Sequence, residues 1–278
     1  MLKRTITGAC YVAIIVAFFL LRQLVDYRLF HIIPFAFVVI GTYEMAKMAR
    51  PFSLKGNLVP SVIYSVILIP LYLLFEYFVK ENAGWIIALD FIALAVIVVT
   101  AVCLIKNVDK KTYFSTVAPY VYPALFLLPM VLMNELGEFA FIALLLFFVT
   151  SPICDTMAYL VGSLIGGKKL CPELSPKKTW SGAIGGLVGG IIGGILVFII
   201  FRPEIVGLKP VLTAIIFSVV GLVSALLTET GDLFESFIKR RYGVKDSGNI
   251  LPGHGGVLDR IDGMLFAGVF IYIIFLII

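Results

Sequence analysis

Charged residues are concentrated in one stretch near the carboxyl end of the chain, between segments that are almost entirely apolar. The stretch from Ser236 to Asp262 contains five basic side chains, three carboxylates and His254, one of the two histidines. Carboxylate oxygens are the ligands that hard cations such as Mg2+ prefer, while basic side chains neutralise phosphates. This composition predicts a site that binds a metal ion together with phosphate groups.

Two aspartates flank the loop inside this stretch, and Asp232 and Asp259 are therefore the first candidates for metal ligands. Asp246 and Asp262 are either further ligands or groups that orient the basic side chains. Phosphoryl transfer depends chiefly on positioning and on charge neutralisation, and such a mixture of charges supplies both. The basic residues available for phosphates are Lys239, Arg240, Arg241, Lys245 and Arg260.

The turn Pro-Gly-His-Gly-Gly at residues 252–256 is the second feature of the stretch. Gly255 and Gly256 allow the backbone to approach a phosphate closely, and His254 either donates to a phosphate oxygen or fixes the turn. The alternative is a solvated loop, because five basic and five acidic residues balance between Asp232 and Asp262. A plain loop does not need this rigid turn just before Asp-Arg-Ile-Asp, so the pattern favours a site.

The elements that position this site are predicted to be membrane helices. The chain is 61% hydrophobic and 14% charged, whereas soluble domains have about 45–50% apolar and about 25% charged residues. The net charge of +5 is interpreted as membrane topology, and no nucleic-acid partner is expected. We predict an all-α, polytopic integral membrane protein with nine spans of about 20 residues, near 5–21, 29–46, 58–79, 84–105, 113–133, 139–165, 180–201, 210–230 and 262–278.

Basic residues predict how these spans are oriented, because loops on the cytoplasmic side carry an excess of Lys and Arg. Alternate loops divide the 22 basic residues into 17 and 5. The larger group begins with Lys3 and Arg4 and includes those of residues 236–262. The amino terminus and the charged stretch are therefore expected in the cytoplasm, with the first span retained. The smaller group is Arg22, Arg28, Lys80, Arg202 and Lys209.

Acidic residues also occur inside the apolar segments. Pro152 interrupts the long sixth span, and Asp155 follows within one turn. A carboxylate at this depth is costly unless it faces a wet cavity or a cation, so Asp155 is either a site residue or a partner in hydrogen bonds between helices. Glu44, Glu76 and Asp90 lie near span ends, where we expect them to be solvated or paired locally.

The loop between the sixth and seventh spans is rich in lysine. Ser175 is predicted to cap a helix that has Pro176 at its first position. Free N–H groups at that helix start, with Lys177 and Lys178, would form a phosphate cradle. The alternative is that these lysines only set the membrane topology.

Two further patterns concern helices. Glycines repeat every four residues in the seventh span, in the sets 182, 186, 190, 194 and 185, 189, 193. This spacing indicates close helix packing, either within the chain or in a homodimer.

If the eighth helix continues beyond the membrane, Asp232, Ser236 and Arg240 share one of its faces.

The charged stretch resembles the signature of the phosphatidate cytidylyltransferase family, also called CDP-diacylglycerol synthases. All fixed positions of that signature are occupied. They are Ser236, Lys239, Arg240, Lys245, Asp246, Gly248, Leu251, Pro252, His254, Gly255, Gly256, Asp259, Arg260 and Asp262. Upstream, Asp155-Thr156, residues 175–179 and Gly231-Asp232 are also similar to family motifs. The lysine motif usually continues to Glu-Gly, whereas this chain has Ser181-Gly182.

The resemblance implies that CTP and phosphatidic acid react to give CDP-diacylglycerol and pyrophosphate, with Mg2+ as cofactor. The site would face the cytoplasm from the inner (plasma) membrane, among membrane lipids. Residues 1–134 would be a scaffold and residues 135–278 would carry the site. A second cation and a homodimer remain open.

The resemblance and the chemistry together assign three sets of residues. The expected metal ligands are Asp232 and Asp259. The expected catalytic residues are Lys239, Arg240, Lys245, Asp246, His254, Arg260 and Asp262. The expected substrate-binding residues are Asp155, Lys177, Lys178, Ser236, Gly255 and Gly256.

A secondary transporter is the alternative class, because interrupted spans and buried acids also mark transporters. Transporters tend to show paired interruptions in two halves of the chain, and the first half has no counterpart of Pro152 and Asp155. The charged stretch is also predicted at one membrane face. Both observations favour the enzyme.

Overall fold

Helices account for most of the fold, as the composition predicts. The computed structural model describes residues 2–79, 84–205 and 208–278. Lys80 and the side chains of Lys3 and Arg4, on which the orientation prediction partly depends, lie outside the described residues. Within the described ranges, nine helices are long and apolar enough to cross a membrane, which confirms the predicted fold class.

The elements follow one another with short connections. They are α1 Leu2–Leu24, α2 Ile32–Ala49, α3 Leu58–Val79, α4 Gly84–Ile105, α5 Lys110–Asn134, α6 Ala140–Ile165, β1 Lys169–Cys171, β2 Ser175–Thr179, α7 Trp180–Phe201, α8 Pro210–Arg241 and α9 Leu258–Ile277. Short 3-10 turns at Tyr27–His31 and Gly137–Phe139 precede α2 and α6. Which membrane face each end occupies remains a prediction.

The chain divides into two compact units. The first comprises Met1–Leu132 and Arg241–Arg260, and the second comprises Met133–Arg240 and Ile261–Ile278. Helix α9 contributes its first three residues to the first unit and the remainder to the second. The predicted separation of a scaffold, 1–134, from a site-bearing part, 135–278, remains a prediction.

Buried aromatic and polar side chains hold the first unit together. Tyr64 of α3 stacks on Phe91 of α4 with ring centroids 5.3 Å apart, and it also contacts Tyr120 of α5. Tyr120 donates to the side chain of Asn57 (3.2 Å), which in turn donates to the carbonyl of Thr116 (3.0 Å). These contacts fix the start of α3 against α5.

Glycines of α7 hold the second unit together. A Cβ on Gly190 or Gly194 would collide with the carbonyl oxygens of Gly221 or Phe217 on α8. A Cβ on Gly189 would lie 2.9 Å from the carbonyl oxygen of Ile153 on α6. Helix α7 therefore packs on α6 with one glycine set and on α8 chiefly with the other. This confirms close packing within the chain, so the glycine pattern gives no indication of a homodimer.

Helix α6 is continuous, contrary to the expectation that Pro152 interrupts it. A proline removes one N–H from the helix ladder, but the packing of α6 against α7 along the glycine face holds the flanking turns in helical geometry. Asp155 therefore lies on a regular helix, one turn after the proline.

The predicted helix start at Ser175 is wrong. Residues Ser175–Thr179 form β2, which pairs antiparallel with β1 in the register Lys169 to Thr179 and Cys171 to Ser175. Thr179, with an extended backbone, is the N-cap of α7, and its Oγ1 accepts from the N–H of Gly182 (3.1 Å). The N–H of Trp180 donates to the carbonyl of Lys168 (3.1 Å), so strand pairing continues up to the first residue of α7.

Candidate functional site

A cavity of about 340 Å3 lies within the second unit, between α6, β2, α7 and α8. Five charged side chains line it, together with small and aromatic residues of α6 and α7. The lining residues are Asp155, Ala158, Tyr159, Gly162, Ser163, Lys177, Lys178, Thr179, Gly182, Ala183, Glu229 and Asp232. The sequence-predicted Asp155, Lys177, Lys178 and Asp232 are therefore brought together.

The central contact of this cavity is an ion pair. Nζ of Lys178 lies 2.7 Å from Oδ2 of Asp232, and both side chains are largely shielded from solvent. Burial acts to lower the pKa of Lys178, but the neighbouring carboxylates, Asp232 first and then Glu229 and Asp155, outweigh burial and raise it. Lys178 is thus a fixed positive charge among three carboxylates.

Close backbone packing places Lys178 there. A Cβ on Gly162 of α6 would lie 2.9 Å from Oγ1 of Thr179, and a Cβ on Gly182 would lie 2.9 Å from the carbonyl oxygen of Ala158. Ser181 Oγ donates to the carbonyl of Gly166. Because the hairpin end and the start of α7 lie directly on α6, the lysine before Thr179 is directed toward α8.

Helix α8 supplies the acidic side of the cavity. It persists to Arg241, so the predicted continuation beyond the apolar segment is confirmed. Ser236 Oγ donates to Oδ1 of Asp232 over 3.4 Å, as expected for residues four apart on one face. Glu229 lies one turn before Asp232, and its Oε1 is buried against Gly186 with no hydrogen-bond partner among the described residues.

Sequence reasoning missed Glu229. The spacing of three residues from Asp232 would have placed both on one helix face, and that was the available signal. Glu235, on the same helix, was also missed. It is fully buried and lies 3.5 Å from Nζ of Lys239.

Asp262 lies close to this part of α8. A Cβ on Gly231 would lie 2.6 Å from the carbonyl oxygen of Asp262, so α8 and α9 approach backbone to backbone. Oδ1 of Asp262 accepts from the N–H of Gly263 (2.8 Å).

Lys239 is only 8% exposed, while Arg240 is exposed. Of these two residues predicted to bind phosphate, Arg240 is therefore far more accessible to solvent than Lys239.

The remaining predicted residues lie in the first unit, either in the signature loop, which we define as residues 242–257, or in the first turn of α9. Gly253 and Gly255 have positive φ angles of 80° and 86°, and residues 251 and 255 pair as an isolated bridge. His254 donates its N–H to the carbonyl of Leu251 (2.9 Å). The predicted tight turn at residues 252–256 is therefore present, and only glycine tolerates those φ angles without strain.

The ring of His254 faces helix α1. A Cβ on Gly8 would lie 3.7 Å from Cε1 and Nε2 of His254, and Thr7 Oγ1 donates to the carbonyl of Pro252 (3.1 Å). Nδ1 of His254 is buried and has no hydrogen-bond partner in the described part of the chain. Whether His254 contacts a phosphate remains a prediction.

Asp259 fastens the signature loop to the start of α9. Its Oδ2 accepts from the N–H groups of Ser247 (2.9 Å) and Gly256 (2.8 Å). A Cβ on Gly255 would lie 2.7 Å from that oxygen and 3.6 Å from Cβ of Asp246. Asp246 and Asp259 are therefore neighbours across Gly255. Lys245, Asp246 and Arg260 are exposed.

Glu44 was expected to be solvated or paired locally, and this is wrong. It is 1% exposed, and it accepts from Ser247 Oγ (3.3 Å), Val257 N (3.1 Å) and Leu258 N (2.9 Å). These partners lie more than 200 residues away in sequence, so nothing in the local pattern around Glu44 indicated them.

The carboxylate oxygens that line the cavity are of the kind that a hard cation binds. Asp155, Glu229 and Asp232 offer only oxygen atoms, and the ammonium group of Lys178 already occupies a cation position on Asp232. No group of three His, Cys, Asp or Glu residues within the described ranges is placed to hold a metal ion by itself. Mg2+ usually takes one or two carboxylates plus substrate phosphates, and the cavity offers the carboxylate of Asp232 for this role. Asp232 belongs to the second unit and Asp259 to the first, so their joint binding of one Mg2+ remains a prediction.

Comparison with known proteins gives one consistent family. The cytidylyltransferase family model matches residues 2–278. The phosphatidate cytidylyltransferase of Bacillus subtilis is 31% identical over 278 residues, covering 98% of this chain and 96% of that protein. That of Thermotoga maritima is 34% identical over 191 residues, covering 66% and 68%.

Phosphatidate cytidylyltransferase of Brucella abortus is 42% identical over 136 residues, which are 49% of this chain and 47% of that protein. The match thus spans about half the length of the Brucella relatives. The family model covers nearly every residue, and the Bacillus subtilis relative aligns from end to end. The chain belongs to the cytidylyltransferase family.

Proposed function

We propose that this protein transfers the cytidylyl group of CTP to phosphatidic acid, forming CDP-diacylglycerol and releasing pyrophosphate. The observation that carries the proposal is the charged cavity in which Lys178 pairs with Asp232 beside Asp155 and Glu229. The family and the names of its relatives supply the substrates.

The reaction needs little acid–base chemistry. A phosphate oxygen of phosphatidic acid attacks the α-phosphorus of CTP, and the bond from that phosphorus to the β-phosphate oxygen breaks. Pyrophosphate leaves with the electron pair. Because the attacking oxygen is already anionic, the protein has to orient two anions and offset their charge rather than remove a proton.

The residues of the cavity divide this work. Lys178 and Lys177 neutralise phosphate oxygens, and Lys178 is held ready by its ion pair with Asp232. Asp232 would hold Mg2+, whose charge would offset the negative charge on the departing pyrophosphate, and the neighbouring carboxylates of Asp155 and Glu229 would favour a cation beside it. Ser236 orients Asp232 through its hydroxyl.

The signature loop is part of the same proposal. Lys245 and Arg260 are exposed and bind phosphate oxygens, and Gly255 and Gly256 bring backbone N–H groups close to them. Asp259 retains its predicted place as a metal ligand. We further propose a plasma-membrane location with the site on the cytoplasmic side, where CTP is present.

The test is product formation by purified protein in detergent. Radiolabelled CTP, phosphatidic acid and Mg2+ should give a lipid-soluble cytidine product and an equal amount of pyrophosphate. Diacylglycerol lacks the attacking phosphate and should give none. A failure to label lipid with CTP would contradict the proposal, as would equal labelling with diacylglycerol. Transport of a solute without any lipid product would favour the transporter instead.

A further inference from the structure

The buried carboxylate of Glu44 joins α2 to the start of α9 within the first unit. Leu258 is the first residue of α9, and the first N–H groups of a helix have no partner inside that helix. Oε1 of Glu44 accepts from Val257 N and Oε2 accepts from Leu258 N, over 3.1 and 2.9 Å. A negative charge is also favoured at a helix amino terminus. Glu44 therefore caps α9 from a different helix.

Two positions of the signature loop are occupied by glycine where a side chain would collide with Glu44. A Cβ on Gly248 would collide with Oε1 of Glu44, and a Cβ on Gly256 would lie 2.6 Å from Oε2. Contacts this short do not occur for real Cβ atoms. Glycine at 248 thus leaves room for this carboxylate, and glycine at 256 leaves room for it and for the hydroxyl of Ser247, which lies closer still.

Glu44 and Asp259 hold the same loop residues from two sides. Ser247 donates its hydroxyl to Glu44 (3.3 Å) and its N–H to Asp259 (2.9 Å). Gly256 donates its N–H to Asp259 (2.8 Å) and packs against Glu44. The orientation of Asp259 is thus coupled to Glu44 through Ser247 and Gly256.

We infer that Glu44 is a positioning residue for the cytidylyl transfer. It holds the signature loop and the first turn of α9, and so fixes the side chains of Asp259 and Arg260 relative to the turn at residues 252–256. Glu44 itself touches no substrate, because it is 1% exposed. It lies far upstream of the signature, which begins at Ser236. The expected effect of Glu44 on turnover rests on the proposed function, whereas its expected effect on the signature loop does not.

The first experiment compares Glu44→Ala and Glu44→Gln with the control Thr42→Val. Thr42 lies on the same helix and is fully buried, and its hydroxyl has no hydrogen-bond partner in the described part of the chain. Backbone hydrogen exchange is measured without substrate or metal, and kcat and KM are measured with CTP and phosphatidic acid.

Glu44→Ala should speed exchange at residues 247 and 256–258 and lower kcat by about 10- to 100-fold, the usual cost of losing a supporting group. The KM for phosphatidic acid should change much less, because no substrate contact is removed. Gln keeps the shape of Glu but offers an acceptor to only one of the two N–H groups of Val257 and Leu258, so Glu44→Gln should lose less of kcat than Glu44→Ala without matching the wild-type protein. Thr42→Val should match the wild-type protein in both measurements.

A second variant disturbs the same contact without removing the carboxylate. Gly248→Ala should displace Glu44 and lower kcat to a similar degree, and it carries the test if Glu44→Ala does not fold. In the Glu44→Ala background, Gly248→Ala should have little further effect, because the collision is gone. Additive losses in the double variant would contradict the coupling between these two positions.

The outcomes separate the two proposals. A wild-type protein that makes no cytidine lipid would contradict the proposed function, whatever the exchange data show. An active wild-type protein whose Glu44→Ala variant keeps its kcat and its slow exchange at residues 256–258 would overturn the role of Glu44. An equal loss in Thr42→Val would also overturn it, since any buried change on α2 would then suffice.

Discussion

Nζ of Lys178 lies 2.7 Å from Oδ2 of Asp232, and this contact joins the hairpin before α7 to the acidic face of α8. The two residues come from separate motifs of the sequence, and the cavity brings them together with Asp155 and Glu229. An ammonium group that is already held among carboxylates in the cavity is well placed to meet an incoming phosphate group.

Lys178→Met should lower kcat with CTP by about 100-fold, comparable to the loss of one group that stabilises transition-state charge. The variant removes the charge and leaves Asp232 without its partner. Lys178→Arg should retain part of the activity because it keeps the charge. Lys169→Met, an equal change of charge at an exposed position of β1, is the control. Equal activity of Lys178→Met and Lys169→Met would show that Lys178 has no part in turnover.

Glu229→Gln should lower kcat/KM for CTP by about 10- to 100-fold. Its carboxylate lines the cavity and interacts with Lys178, while the substitution preserves the packing against Gly186. Thr230→Ala is the control, since Thr230 is exposed and donates only to the carbonyl of Leu226. Steady-state kinetics checks the prediction, and wild-type kinetics in Glu229→Gln would remove Glu229 from the site.

Gly194→Ala should destabilise the second unit by about 1–3 kcal/mol, the usual cost of overpacking. Its Cβ would collide with the carbonyl oxygen of Phe217, which is backbone and cannot move aside. Gly193→Ala is a matched control, because its nearest neighbour, Cα of Thr150, would lie 3.4 Å away. Thermal unfolding in detergent measures both variants. A similar melting temperature for the two would contradict the close packing of α7 on α8.

Asp259→Asn separates the charge of Asp259 from its hydrogen bonds. The amide oxygen of Asn can still accept from Ser247 and Gly256, so the signature loop should stay in place while the negative charge is lost. We expect Mg2+-dependent pyrophosphate release to fall by about 100-fold or more, with unchanged hydrogen exchange at residues 247 and 256. Full activity would exclude a metal-ligand role for Asp259. Faster exchange at those residues would assign the loss to the loop instead.

The helices and several contacts of the predicted residues could be anticipated because their signals are local. Apolar runs long enough to span a membrane predicted the nine helices of the described ranges. A spacing of four residues predicted the shared face of Asp232 and Ser236 and the close packing of α7. The signature placed the turn at residues 252–256 correctly. Each of these patterns can be recognised from residues that are close to one another in sequence.

The errors concern features decided by distant contacts. Ser175-Pro176 suits either a helix start or a strand, and pairing with β1 decided for the strand. Pro152 can end a helix, but packing against α7 kept α6 continuous. Glu44 resembled a carboxylate at a span end, because its partners at residues 247, 257 and 258 cannot be inferred from its surroundings in sequence.

If the cavity around Asp232 carries out the transfer, the carboxylate of Asp232 is needed for turnover. The most direct measurement is pyrophosphate release from CTP and phosphatidic acid by purified Asp232→Asn, beside Asp109→Asn at an exposed loop position. Asp232→Asn should lose at least about 100-fold in kcat while keeping the melting temperature of the wild-type protein, and Asp109→Asn should lose nothing. An Asp232→Asn protein that releases pyrophosphate at the wild-type rate would show that the transfer does not depend on this cavity.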